Sequence, residues 1–159
     1  MKNCTKIAEA YYTFLRGIDW GNDFYTQGIR DGKKTFLTNA FLGTYGEKKY
    51  SCGDYYSPAA WKIVQSSNKP SGLIFEHMVP KKKYIHAPCE KLAESGDLTV
   101  PFIENLLQKF WKIAIVTKEE DMHLGRNSMP ANWDEEDIFG RYTAAGVTLV
   151  DASGKPLEI

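Results

Sequence analysis

Several features that would place a sequence in a particular class are scarce in this chain. It has three cysteines, Cys4, Cys52 and Cys89, which are far apart and form no C-x-x-C pair. A zinc finger or a disulfide framework is therefore not expected, and reduced thiols in the cytoplasm are the simplest interpretation. Lys and Arg together number 20, as do Asp and Glu, so the formal net charge is zero. The chain thus lacks the basic excess of a typical nucleic-acid-binding domain, although local patches can still contact phosphates.

Long apolar runs are also missing. No run approaches the length needed to span a bilayer, and the opening residues are not followed by the apolar segment of a secretory signal. We therefore expect a cytoplasmic protein that does not associate with a membrane. The sequence shows no internal repeat and no low-complexity tract, and 159 residues suit one domain with one core.

What the chain does contain is a set of periodicities and capping residues that predict an α+β fold. Apolar residues at helical spacing and N-cap residues predict helices at 5–17, within 21–45, and at 58–66, 84–93, 99–110, 118–124 and 134–145. Short apolar runs predict a small antiparallel pair of strands at 73–77 and 112–117, and a last short strand at 147–150.

The organisation expected from these elements is one domain over residues 1–159. Residues 1–70 form a helical, aromatic-rich part, in which the Phe and Tyr side chains are most simply core and the tyrosine-rich residues 45–57 form a loop. Residues 71–126 hold the strand pair with a helical insertion. Residues 127–159 supply a helix and a short strand.

The most informative stretch is the end of the first strand of the pair. Apolar residues Leu73–Phe75 lead directly into Glu76 and His77, Pro80 ends the run, and three lysines follow. Side chains at a strand end can leave the core and face a ligand. A simpler interpretation is a surface carboxylate beside a half-buried histidine.

The second strand leads into a short acidic helix. Thr117 is its predicted N-cap, with Glu120 completing a capping box, and the helix also carries Asp121 and His123. Acids near a helix N-terminus and a histidine near its C-terminus are favoured by the helix dipole alone. The helix therefore has a purely structural explanation as well.

A catalytic explanation follows if the strands pair antiparallel and the helix folds back over them. Glu76 and His77 can then converge with Asp121 or His123. Mg²⁺ is bound through one or two carboxylates and retains several waters. A neutral imidazole beside it can take a proton from an attacking water, while the metal polarises a phosphate.

These residues resemble the HNH, or ββα-metal, endonucleases. The run Glu76-His77-Met78-Val79-Pro80 is similar to the acid–His pair that ends the first strand in that family. Ile115-Val116-Thr117, followed by the acidic helix, resembles its strand–helix junction. The resemblance covers residues 73–124. It departs from the family in the long connection between the strands and in the absence of zinc-binding cysteine pairs.

The resemblance implies particular roles. His77 corresponds to the general base and Glu76 to a metal ligand. Asp121 stands where the family often has Asn, and His123 is the reserve ligand. The implied cofactor is a divalent metal, Mg²⁺ or else Mn²⁺.

Basic residues suited to a DNA backbone are Lys81, Lys82, Lys83, Arg126 and Arg141. Such contacts position a strand without reading its sequence. A lysine run can equally be a solvated face. His86 has no partner in the sequence and is expected in a surface loop.

Two functions are therefore considered. The leading one, implied by the resemblance, is a metal-dependent endonuclease that hydrolyses DNA phosphodiester bonds. The zero net charge, the Asp in place of Asn and the aromatic N-terminal half favour instead a non-catalytic protein-binding module, an inhibitor or adaptor on a nuclease-like or unrelated scaffold. A phage- or plasmid-borne defence or counter-defence protein is compatible with either.

Overall fold

A computed structural model describes residues 3–46, 49–125 and 128–157. The chain divides into two compact units, one formed by residues up to 47 and 81–110, the other by residues 48–80 and 111–159. The helices of the described residues are α1 (Cys4–Arg16), α2 (Asp23–Gly28), α3 (Arg30–Gly43), α4 (Pro58–Ser66), α5 (Ala87–Ser95), α6 (Val100–Phe110), α7 (Lys118–Asp121) and α8 (Gly140–Ala145). The strands are β1 (Tyr55–Tyr56), β2 (Leu73–His77), β3 (Ile113–Thr117) and β4 (Val150–Asp151).

The first unit is a helical assembly of α1, α2, α3, α5 and α6. Helix α1 packs against α6, and its inward residues Ile7, Tyr11 and Leu15 recur at helical spacing. Leu37 of α3 and Leu107 of α6 are likewise fully buried. The helix predicted at 5–17 and the helical pattern within 21–45 are thereby confirmed.

A π-helical turn, Lys82–His86, runs directly into α5. His86 at its end is 5% exposed, so the surface-loop prediction was wrong. The reason is helical spacing: His86 shares an inward face with Ile85 and Cys89, which are fully buried.

The second unit is built on a four-stranded mixed sheet with strand order β2-β3-β1-β4. Strand β2 pairs antiparallel with β3 as predicted, in a register that sets Leu73 opposite Thr117 and His77 opposite Ile113. The α+β class is confirmed. The prediction of a two-stranded sheet was wrong, because β1 also pairs parallel to β3 and β4 pairs antiparallel to β1.

The extra strands come from residues with weak local signals. Residues 113–116 of β3 are all fully buried, so this strand needs neighbours on both edges. Tyr55 and Tyr56, predicted as loop, fill the second edge. A two-residue strand is too short to show alternation. Residues 49–70, grouped with the helical part in the sequence, thus supply β1 and α4 to the sheet unit.

The helix predicted from Asp134 begins instead at Gly140. The Asp134 carboxylate accepts the N–H groups of Glu136 and Asp137, which closes a turn. Glu135 has a φ of 65°, in the left-handed region, and this interrupts helical geometry. Among the helices of the described residues, none is long and apolar enough to cross a bilayer.

Helix α7 is anchored by the predicted capping box. Thr117 Oγ1 accepts the Glu120 N–H at 3.2 Å, and Glu120 Oε2 accepts the Thr117 N–H at 2.8 Å. The same oxygen accepts the Ser57 hydroxyl at 2.6 Å, and Ser57 also caps α4. One carboxylate therefore ties the starts of two helices together.

Replacing Glu120 with Ala should lower the free energy of unfolding by about 1–3 kcal/mol, because a cap and a part-buried hydroxyl lose their acceptor. Urea denaturation measures the change. Glu119→Ala, one residue earlier and exposed, is the matched control and should leave stability nearly unchanged. Equal stability of the two variants would contradict this role.

Candidate functional site

The side chains of β2 alternate between the two faces of the sheet. Ile74 and Met78 lie in the apolar cluster that also contains Ala114, Val116 and Tyr142. Because Glu76 lies between Ile74 and Met78 at strand spacing, it points to the same face. This face is covered by α8.

Glu76 is held there by an arginine of α8. Arg141 Nη2 donates to Glu76 Oε1 at 2.8 Å. Its Nη1 donates to the His77 carbonyl at 2.9 Å and to the Met78 carbonyl at 3.3 Å. Arg141 is 3% exposed, so the pair is largely removed from water. The guanidinium fixes the end of β2 to α8 and neutralises the predicted metal ligand.

His77 points to the opposite face. Its ring meets the indole of Trp111 edge to face at 4.6 Å and the ring of Phe75 at 5.6 Å. Lys49 Nζ lies 5.6 Å from the Phe75 ring centroid. The predicted base and the predicted ligand therefore lie on different sides of the sheet, because neighbours in a strand alternate.

The acidic helix begins at the far end of the strand pair. Thr117, its cap, lies opposite Leu73, whereas His77 lies opposite Ile113. Four residues separate the two positions, about 13 Å along an extended strand. After α7 the chain buries Leu124 in the cluster with Met78. It therefore returns over the Glu76 face of the sheet.

The structure brings two of the predicted acids to one phenol. Burial raises the pKa of Tyr142, Glu76 raises it further, Arg141 opposes this, and Asp121 adds a smaller increase. Glu76 and Asp121 thus share an electrostatic environment, but His77 does not join them. His123 follows α7 and is exposed.

These residues do not fit the expected metal site as they stand. Within the described ranges, no group of three or more His, Cys, Asp or Glu side chains is placed to hold a metal ion. The Glu76 carboxylate is committed to Arg141, and Glu120 is committed to the capping box.

The predicted phosphate-binding residues are also dispersed. Lys82 and Lys83 are exposed. Lys81 Nζ donates to Thr38 Oγ1 at 2.6 Å and to the Lys34 carbonyl at 3.2 Å, so it binds α3. The buried Arg141 is not available to a phosphate in this arrangement. Arg126 lies outside the described residues.

The sequence did not indicate the most exposed aromatic surface. Helix α2 buries none of its six residues, and on it Phe24 is 91% and Tyr25 41% exposed. Asn22 caps the helix through the Tyr25 N–H at 3.0 Å. The aromatic residues of this region were assigned to the core because apolar spacing cannot distinguish an inward face from an outward one.

The Arg141–Glu76 pair was also missed, because the two residues are 65 positions apart. Comparison with protein-family models, with curated protein sequences and with solved structures found no match. The fold and the site together define an α+β protein in which an ion pair between Arg141 and the part-buried Glu76 joins α8 to β2.

Replacing Arg141 with Met should lower the free energy of unfolding by about 1–3 kcal/mol, because the end of β2 loses its hydrogen bonds to α8 and the part-buried Glu76 loses its partner. Adding Glu76→Gln should recover part of the loss, since no uncompensated charge then remains. Chemical denaturation measures both variants.

Arg30→Met is the control, because the Arg30–Asp31 pair is exposed and should contribute little. If Arg141→Met lowers the free energy of unfolding as little as Arg30→Met does, the ion pair does not fix the end of β2.

Proposed function

We propose that this chain is a non-catalytic protein-binding module, an inhibitor or adaptor, whose anchor is the aromatic surface of α2. The observation that supports it is the exposure of Phe24, 91% of a large apolar side chain on a helix that buries nothing. Aromatic residues dominate the energetics of protein interfaces.

The shortness of α2 supports a partner for this surface. An isolated helix of six residues is not stable in water, and most helical stability comes from packing an apolar face. A partner that covers Phe24 would contribute about 1.5–3 kcal/mol from the burial of this side chain. It would also add to the contact that α2 makes with α3 of its own unit.

The ion pair supports a non-catalytic role for the strand end. Glu76 is bound to Arg141, and His77 packs against Trp111 on the other face. We propose a cytoplasmic location, as expected from the sequence. A role in defence or counter-defence is compatible with this binding function.

Phe24→Ser should abolish capture of the partner without destabilising the chain, because a side chain this exposed packs against little of its own unit. Met122→Ser is the matched control, since Met122 is 69% exposed in the other unit. A partner captured by the wild type is purified, and its Kd is measured for both variants. An unchanged Kd for Phe24→Ser, with the fold intact by circular dichroism, would exclude α2 as the anchor.

A second candidate function is the HNH-type endonuclease acting on DNA. One observation favours it: β2, its antiparallel partner β3, the Thr117 cap and α7 follow in the ββα order of that family. It needs an arrangement in which Glu76 is released from Arg141 to serve a divalent metal, Mg²⁺ or Mn²⁺.

Plasmid cleavage with Mg²⁺ or Mn²⁺ separates the two functions. The binding proposal predicts that the wild type and His77→Ala give the same extent of plasmid cleavage, since His77 has no chemical role in it. His123→Ala controls for the loss of any histidine. Cleavage by the wild type that is lost in His77→Ala but kept in His123→Ala would establish the nuclease and overturn the binding proposal.

A further inference from the structure

The buried histidine of the helical unit is a titratable group that neither function uses. His86 Nδ1 lies 2.7 Å from the Tyr11 hydroxyl of α1, and the two rings meet edge to face at 5.8 Å. Its other ring nitrogen, Nε2, is buried and has no hydrogen-bond partner in the part of the chain that the structure describes. One hydrogen bond and packing hold this imidazole.

The direction of the Tyr11–His86 hydrogen bond and the tautomer of the neutral ring depend on each other. Burial, followed by the nearby Cys89 and Glu90, raises the pKa of Tyr11, so the phenol keeps its hydrogen, and we assign it as the donor to Nδ1. Neutral His86 then carries its hydrogen on Nε2. A second proton must bind at Nδ1, where it removes the acceptor of the Tyr11 hydroxyl.

The charges around the ring oppose that second proton. Lys81 precedes the π-helical turn and Lys33 faces it from α3, and both act on His86. Glu90 of α5 is the nearby acid, but its carboxylate is paired with Lys33 at 3.2 Å.

Helices α5 and α6 also pack against the turn that ends in His86. Cys89 of α5 is buried and its thiol pKa is raised to about 12. The charged residues of α6, which also packs against the turn, are Glu104, which accepts the Thr5 hydroxyl, and Lys109, which lies over the Phe110 ring. Protonated His86 would therefore be subject to the charges of Lys81 and Lys33, while the Glu90 carboxylate is paired with Lys33.

We propose that His86 is an acid-sensitive latch, which holds the π-helical turn and α5 against α1 while neutral and releases them when protonated. Protonation places a second hydrogen on Nδ1, so the Tyr11 hydroxyl can no longer donate there, and it puts a charge on a buried ring on which Lys81 and Lys33 already act. Release exposes the ring to water, where the charge is solvated. This latch does not depend on either proposed function.

Linkage gives the size and direction of the effect. Burial, then Lys81 and Lys33, lowers the pKa of His86 from 6.5 to about 4. The pKa of His86 is lower in the folded protein than in the unfolded chain. Neutral His86 therefore contributes its full stabilisation above pH 6.5, and this stabilisation is lost as the pH falls towards 4. The folding equilibrium constant should fall about 30-fold by pH 5 and on the order of 100-fold by pH 4 from this group alone.

The test compares the wild type with His86→Asn, whose amide oxygen can take the Nδ1 position and accept from Tyr11 without titrating. His123→Asn, at an exposed histidine, is the control. Urea unfolding and site-resolved amide hydrogen exchange of residues 82–95 are measured at pH 7, 6 and 5. The three proteins are compared with one another at each pH. As the pH falls to 5, exchange protection of residues 82–95 in the wild type and the control should decrease by up to about 30-fold more than in His86→Asn. Parallel losses in all three proteins would overturn the proposal.

If His86→Asn does not fold, the proposal is tested with the wild-type protein alone. An NMR titration of the His86 ring is compared with the exchange protection of residues 82–95. Protonation of the ring that coincides with loss of protection supports the latch. A ring that titrates near its ordinary value while these residues stay protected excludes it.

Discussion

One buried guanidinium determines what the end of β2 can do. Arg141 donates to the Glu76 carboxylate and to two backbone carbonyls beyond it, so α8 and the strand end are joined by three hydrogen bonds. A charge this deeply buried is tolerated only when it is paired and bonded, and Glu76 supplies the pairing. The Glu76 carboxylate and the His77 carbonyl therefore both join β2 to α8 in this arrangement.

The second constraint is the alternation of side chains in a strand. Glu76 faces α8 and Tyr142, whereas His77 faces Trp111 and Phe75. Period-two alternation was available in the sequence and argued against one ion shared by two neighbours, unless the strand ended between them. The family resemblance placed both residues at the end of the strand, where side chains can leave the sheet. Strand β2 instead pairs regularly with β3 through His77, so Glu76 and His77 keep the alternation of a strand and point to opposite faces.

Local chemistry was predictable from the sequence, whereas long-range pairing was not. Thr117 caps α7 as predicted, and Ser57 and Thr99 likewise cap the helices that follow them, because a cap depends only on residues within one turn. Strand β1 and the Arg141–Glu76 pair depend on partners about 60 residues away in sequence. The exposure of Phe24 could not be predicted either, since an apolar pattern at helical spacing does not show which other element packs against the apolar face.

The order of the chain has a consequence for how the protein folds. Strands β2 and β3 are neighbours in the sheet, yet α5 and α6 of the helical unit lie between them in sequence. Joining the two strands first as a coil would require closure of a long loop, which costs conformational entropy. Helices form faster than distant strand pairs, so early formation of α5 and α6 shortens the span to be closed. Nucleation among the helices should thus precede and speed completion of the sheet.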